Sequence, residues 1–168
     1  VALARTERKT QQGHTGFVVH ADPSVTLETD LLRRDFTINA MAISRTGELI
    51  DPFGGQQDLN NRLLRHVSTA FAEDPLRILR GIRFLAQLCR FDFQLADETV
   101  HLMQSMAPSL TELSVERVIV ELDKTLASER PEHGLSQLDR LKVTDMLGPE
   151  LPKLPERFVC KSADARLA

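Results

Sequence analysis

The chain has 168 residues, 42% hydrophobic and 27% charged, an ordinary balance for a globular protein with a core of its own. No apolar run approaches the roughly 20 residues of a membrane-spanning helix, and with no Trp and no Tyr any stacking on a base falls to Phe, His or Arg. The net charge of −3 by itself predicts no nucleic-acid partner, but residues 62–90 hold six Arg against two acids, and such a local concentration suits phosphate binding.

The first strands are expected at residues 1–5 and 16–20, with a polar turn over residues 9–14 and a second at Asp22-Pro23-Ser24. Thr26 to Asp35 reads as a short helical segment. Phe36 to Ile43 is apolar, and periodicity alone fits a buried helix or strand; helix is the preferred reading, with Asp35 near its start. Thr46-Gly47-Glu48 is a tight turn leading to a strand at Leu49-Ile50. Asp51-Pro52-Phe53-Gly54-Gly55 closes that hairpin, its glycines open to backbone angles that other residues avoid. Leu59 to Val67 suits a strand or a short helix.

From Asp74 onward the pattern is helical. Asp74 suits an N-cap and Pro75 a first helical position, and Leu76, Leu79, Ile82, Leu85 and Leu88 form one apolar stripe. Further helices are expected at Asp97–Met106, at Val115–Ala127 with Ser114 as cap and Val115, Val118, Ile119 and Leu122 inward, and at His133–Leu147. The fold class is therefore α+β, a mixed part followed by an all-helical part, divided as 1–67, 68–150 and a tail over 151–168.

Cys89 and Cys160 have no metal-ligand spacing and read as reduced thiols of a cytoplasmic protein. The five histidines are scattered without ligand spacing. The chemistry sits elsewhere. Arg77, Arg80 and Arg83 stand three apart, a slanted stripe on one helix, and Glu73 and Arg77 are placed to pair. An Asp acceptor beside an Arg donor suits the hydrogen-bonding edge of cytosine or adenine, and the planar guanidinium suits phosphate oxygens. Arg33-Arg34-Asp35, with Asn39 four residues on, suits a phosphate and a ribose hydroxyl. Both patterns also fit a solvated helix face and an ordinary cap.

The run Arg33 to Ala42, the run Asp51 to Leu59, Glu73-Asp74-Pro75-Leu76-Arg77 and Ser114-Val115-Glu116-Arg117-Val118 occur in an order that resembles the class II tRNA nucleotidyltransferases, which build CCA ends and are close relatives of bacterial poly(A) polymerases. The opening Val1 to Lys9 is similar to the bacterial CCA-adding branch. The resemblance implies the C-terminal part of a nucleotidyltransferase head over 1–67 and a helical neck, binding RNA and nucleotide, over 68–150. It implies that Arg34, Asp35 and Asn39 hold phosphate and ribose, that Asp74 and Arg77 template CTP or ATP, and that Arg80 and Arg83 contact nucleotide or its phosphates. The motif at Ser114 is implied to be structural. The implied partners are tRNA, CTP and ATP, without a membrane, and the implied cofactor is Mg²⁺.

The family's glycine-rich loop and paired Mg²⁺-binding carboxylates (Asp-x-Asp) normally precede the equivalent of Val1, and no Asp-x-Asp occurs in residues 1–30. No catalytic residue or metal ligand is therefore expected in this chain, which alone is expected to be inactive. A poly(A) polymerase and a non-catalytic helical module binding RNA or a protein are the alternatives.

Overall fold

The structure, a computed structural model, describes the backbone of residues 6–9 and 17–20 and the whole of residues 26–147. The expected strand at 1–5, the turns at 9–14 and Asp22–Ser24 and the tail over 151–168 lie wholly or mostly outside these residues. What is seen first is an antiparallel pair, β1 (Thr6–Lys9) and β2 (Phe17–His20), with Thr6 opposite His20 and Lys9 opposite Phe17.

Helix α1 spans Leu27–Leu32, shorter than expected, and Thr26 caps it by accepting the Thr29 N–H at 3.2 Å. The expected helix over Phe36–Ile43 is absent. Residues Thr37–Asn39 make one 3₁₀ turn, and Ala42–Ile43 forms strand β3, paired antiparallel with β4 (Leu49–Ile50). Tertiary contacts override the local preference here. Phe36 bridges to His66, the Thr37 N–H donates to the Arg65 carbonyl at 2.9 Å, and the Thr37 hydroxyl donates to Asp58 at 2.7 Å.

Asp51 to Leu59 holds a helix that turn chemistry alone conceals. Asp51 accepts the N–H groups of Gly55 at 2.7 Å and Gln56 at 2.8 Å, starting α2 (Gly55–Asn60). Gly54 just before it has φ 72°, a left-handed angle that suits glycine. Within the expected strand or helix over Leu59–Val67, only Leu63–Leu64 forms a strand, β5, which runs parallel to β6 (Gln94–Leu95).

Helix α3 (Leu76–Gln87) is the centre of the molecule. It starts one residue later than expected: Pro75 holds the N-cap position, and Asp74 before it accepts the Leu76 N–H at 3.2 Å. Its apolar face buries Ile78, Leu79, Ile82, Leu85 and Ala86 against Phe36, Leu64, Phe71, Leu95 and Met103. Phe36 meets Phe71 and Phe84 edge-on at centroid distances of 5.5 and 5.7 Å. Residues from both sides of the expected boundary thus share one core.

Helix α4 (Asp97–Met106) has the expected span. Helix α5 (Val115–Leu126) starts at Ser114, but the Ser114 side chain makes no capping hydrogen bond. Its faces differ from expectation in part. Val118 packs against the core and Leu122 is half-buried, as expected, but Val115 and Ile119 point to solvent with Val120 and Leu126, while Glu121 and Thr125 are buried. The expected helix over His133–Leu147 is a short one, α6 (Pro131–Leu135), followed by turns. Gly134 lets α6 approach α3 closely, because a Cβ there would lie 2.2 Å from the Ile82 carbonyl oxygen.

Candidate functional site

The N-terminal turn and outer face of α3 meet the segment 33–39, and most of the expected site residues gather there. Asp35 is 6% exposed. One of its oxygens accepts the Phe36 N–H at 2.8 Å and the Asn39 side-chain amide at 3.1 Å. The other accepts from Arg80, whose Nε lies at 2.9 Å and whose Nη2 also bonds it. Burial alone raises the Asp35 pKa, but the Arg80 charge and these hydrogen bonds together outweigh it and hold the carboxyl below the ordinary aspartate range. Asn39 thus reaches Asp35 as its spacing suggested, from a 3₁₀ turn instead of a helix.

Arg77 does not take Glu73 as its hydrogen-bonding partner. Its Nη1 donates to the Ala70 carbonyl at 2.9 Å and its Nη2 to the Arg33 carbonyl at 2.6 Å. Burial pulls its pKa down, against the opposing charges of Asp74, Asp35 and Glu73; the group remains a cation. Arg77 therefore ties α3 to the segment before it and to the segment carrying Asp35.

Asp74 pairs across the helix seam with Arg117 of α5. Arg117 Nη2 lies 3.1 Å from one carboxylate oxygen and 2.9 Å from the other. Arg83 also turns to α5. It is 9% exposed, donates from Nε to Glu121 at 2.7 Å and from Nη1 to Gln87 at 2.9 Å, and stacks over the Phe84 ring at 4.3 Å. Burial raises the Glu121 pKa, but hydrogen bonds from Arg83 and Lys124 outweigh it and leave that carboxyl low. Arg34 is the most exposed of these arginines; it donates to the Asn39 carbonyl at 2.9 Å and to Asp30 at 3.2 Å.

The structure therefore brings Asp35, Asn39, Arg77 and Arg80 together, places Asp74 at the start of the same helix, and turns Arg83 away toward Glu121. Sequence reasoning missed Arg117 and Glu121 as partners. Their signal was an Arg and a Glu four apart on α5, complementary to Asp74 and Arg83 on α3. Two surface hollows of about 320 and 230 Å³ lie near Phe91 and along Leu76–Val120, and none of the expected site residues lines either.

The acids at and around the site do not fit a two-metal centre. Asp35, Asp58, Asp74 and Glu121 are held by arginines, and Asp51 by backbone N–H groups. Among the described residues no cluster of three or more His, Cys, Asp or Glu is placed to hold a metal ion. Nor is any described helix long and apolar enough to cross a membrane.

Comparison with known proteins gives the site its context. The profile described as "Poly A polymerase head domain" matches residues 1–65, and that described as "Probable RNA and SrmB- binding site of polymerase A" matches residues 92–154. The "Multifunctional CCA protein" of Vibrio parahaemolyticus is 54% identical over 155 residues, covering 91% of this chain and 38% of that protein. The protein of the same name from Haemophilus influenzae is 50% identical, covering 91% and 37%. This chain thus spans just over a third of the length of these curated relatives. Among solved structures, a CCA-adding enzyme in its apo form II aligns with a TM-score of 0.73 and 34% identity, over 94% of this chain and 37% of that one. The Bacillus stearothermophilus CCA-adding enzyme in complex with CTP aligns with a TM-score of 0.69 and 35% identity, over 79% and 33%.

Proposed function

We propose that this chain, which belongs to the tRNA nucleotidyltransferase and poly(A) polymerase family, is the nucleotide-selecting part of an enzyme that adds C, C and A to tRNA 3′ ends from CTP and ATP. The observation that carries the reading is a fixed acceptor and a fixed donor one turn apart. Asp74 is clamped by Arg117, and Arg77 is clamped by two carbonyls.

Cytosine and adenine each carry an exocyclic amine where uracil and guanine carry a carbonyl. A fixed carboxylate accepts from the amine and repels the carbonyl. A fixed guanidinium donates to the neighbouring ring acceptor. Because neither side chain is free to swing and satisfy a wrong base, a mismatch leaves polar groups unpaired, at about 1–3 kcal/mol each. Templating by protein then needs no nucleic-acid template strand.

Asn39, whose amide is anchored on the buried Asp35, serves the ribose, and the exposed Arg34 serves the phosphates. Arg80 fixes Asp35 behind Asn39. Arg83, stacked on Phe84 and bonded to Glu121, supports α3 from behind. Mg²⁺ in the complete enzyme supplies charge neutralisation on the triphosphate, and the two acids at the nucleotide site, Asp35 and Asp74, are already held by Arg80 and Arg117. Work on tRNA with soluble nucleotides belongs in the cytoplasm.

The test is a titration of the chain with CTP, ATP, GTP and UTP in the presence of Mg²⁺, beside an Asp74→Ala, Arg77→Ala double variant. The expected result is CTP and ATP bound above GTP and UTP, with the preference lost in the variant. Equal binding of all four reduces the arginines to a general phosphate site. Binding of ATP without CTP favours poly(A) addition.

A further inference from the structure

The seam between α3 and α5 is charged, and its charges are crossed. Arg117 and Glu121 stand one turn apart on α5, and they meet Asp74, just before α3, and Arg83 of α3. The Arg83–Glu121 pair is deep, with both side chains no more than 11% exposed. The Asp74–Arg117 pair is shallower, with side chains 29% and 32% exposed. A ligand can therefore reach Asp74, whereas Glu121 is closed in.

A carboxylate offers about four lone-pair sites. On Asp74 one oxygen accepts from Arg117 and from the Leu76 N–H, and the other accepts from Arg117 alone. One acceptor site on that second oxygen is left, on a side chain whose rotation is blocked from the far side by the guanidinium. Three staggered χ1 wells are open to an unheld aspartate. Held from both oxygens, Asp74 keeps one.

We propose that Arg117 is a positioning residue for base selection: it holds the Asp74 carboxylate in a single orientation, so that the remaining lone pair meets only a base with an amine at that point. The inference rests on the reading that Asp74 selects the base, and it adds a residue from the segment that looked purely structural in sequence. Arg117 itself touches no nucleotide. It acts through Asp74, and it sets the ratio between bases instead of the strength of phosphate binding.

The experiment titrates the 168-residue chain with CTP, ATP, UTP and GTP, and with inorganic tripolyphosphate as a probe of phosphate binding alone. The wild type is compared with Arg117→Gln and Arg117→Lys, with circular dichroism to check folding. The expected result is a preference for CTP and ATP over UTP and GTP that falls about tenfold in Arg117→Gln, with tripolyphosphate affinity unchanged. Arg117→Lys, which keeps a charged donor but on a flexible stem with no planar guanidinium to hold its direction, recovers part of the preference. A purely structural Arg117 gives a different pattern, with melting temperature and all affinities falling together and the ratio constant, and that result overturns the proposal. If Arg117→Gln does not fold, Arg117→Lys decides: a reduced ratio supports the proposal and an unchanged ratio overturns it. A wild type that binds all four alike, or none, overturns the base-selection reading itself, and this proposal with it.

Discussion

Helices α3 and α5 are each 12 residues long and each strongly two-faced, yet they bury opposite faces. α3 turns Ile78, Leu79, Ile82 and Leu85 to the core. α5 turns Glu121 and Thr125 inward and leaves Val115, Ile119, Val120 and Leu126 between 45% and 67% exposed. A helical period shows that a helix has two faces; the partner decides which of them is covered. Arg83 is buried on the side of α3 that α5 approaches, with the half-buried Asp74 just before the helix, and a buried charge must be met by one of opposite sign. The apolar face of α5 could satisfy neither.

That contrast can be broken most severely at Glu121. Glu121→Ala leaves the buried Arg83 guanidinium without its carboxylate, and a loss of about 3–5 kcal/mol is expected in urea unfolding. An Arg83→Met, Glu121→Leu double variant should recover most of it, because an apolar pair of similar volume removes the desolvation cost. Failure of the double variant to recover would mean that the charges specify how α5 docks and do more than tolerate burial.

Next in size is Gly134→Ala, which pushes a methyl group toward the Ile82 carbonyl oxygen 2.2 Å away. A loss of about 2–3 kcal/mol, read as a lowered urea midpoint with the slope unchanged, is expected from overpacking. The effect lies wholly on the side of α3 that faces α6, so it should add to a change at Asp74 without coupling.

Asp35→Asn tests the contact of α3 with the segment 33–39, with an expected loss of about 1–2 kcal/mol at neutral pH from a weakened charged hydrogen bond. Its pH dependence is more telling. The folded Asp35 carboxyl titrates below its unfolded value, so the folded state holds fewer protons between the two. The stabilisation is complete above the ordinary aspartate value of about 3.9 and is lost as pH falls through the folded value. Asp35→Asn should therefore flatten the acid limb of stability against pH, measured by urea unfolding from pH 7 downward. The smallest effect is expected at Ile119→Ser on the exposed face of α5, within about 0.5 kcal/mol. A larger loss there would show that the face is covered in solution.

The sequence was legible where helices are long and periodic. Asp97–Met106 was read with its full span, and Asp74-Pro75 marked the start of α3. It misled where distant residues decide. Phe36 to Ile43 has a helix's apolar content, but its backbone is claimed by Arg65 and His66, and its Thr37 hydroxyl by Asp58. The start of α2 was hidden because Asp51, which caps it, sits in a stretch that reads as a turn. At the candidate site the sequence could nominate residues but not their partners. Asp35, Asn39, Asp74, Arg77 and Arg80 could be picked by spacing and resemblance. That Arg80 bonds Asp35 from 45 positions away, or that Asp74 faces α5, follows only from the packing of the core.

Arg77 has a consequence for how the chain tolerates change over time. Its two hydrogen bonds end on the carbonyls of Ala70 and Arg33, and a backbone carbonyl is the same group whichever amino acid bears it. Positions 33 and 70 can drift without disturbing the guanidinium, provided the backbone path is kept. Arg80 and Asp35 have no such latitude, since each meets the other through its side chain. One arginine is thus anchored against mutation of its partners, while its neighbour one turn along is bound to co-vary with a single residue.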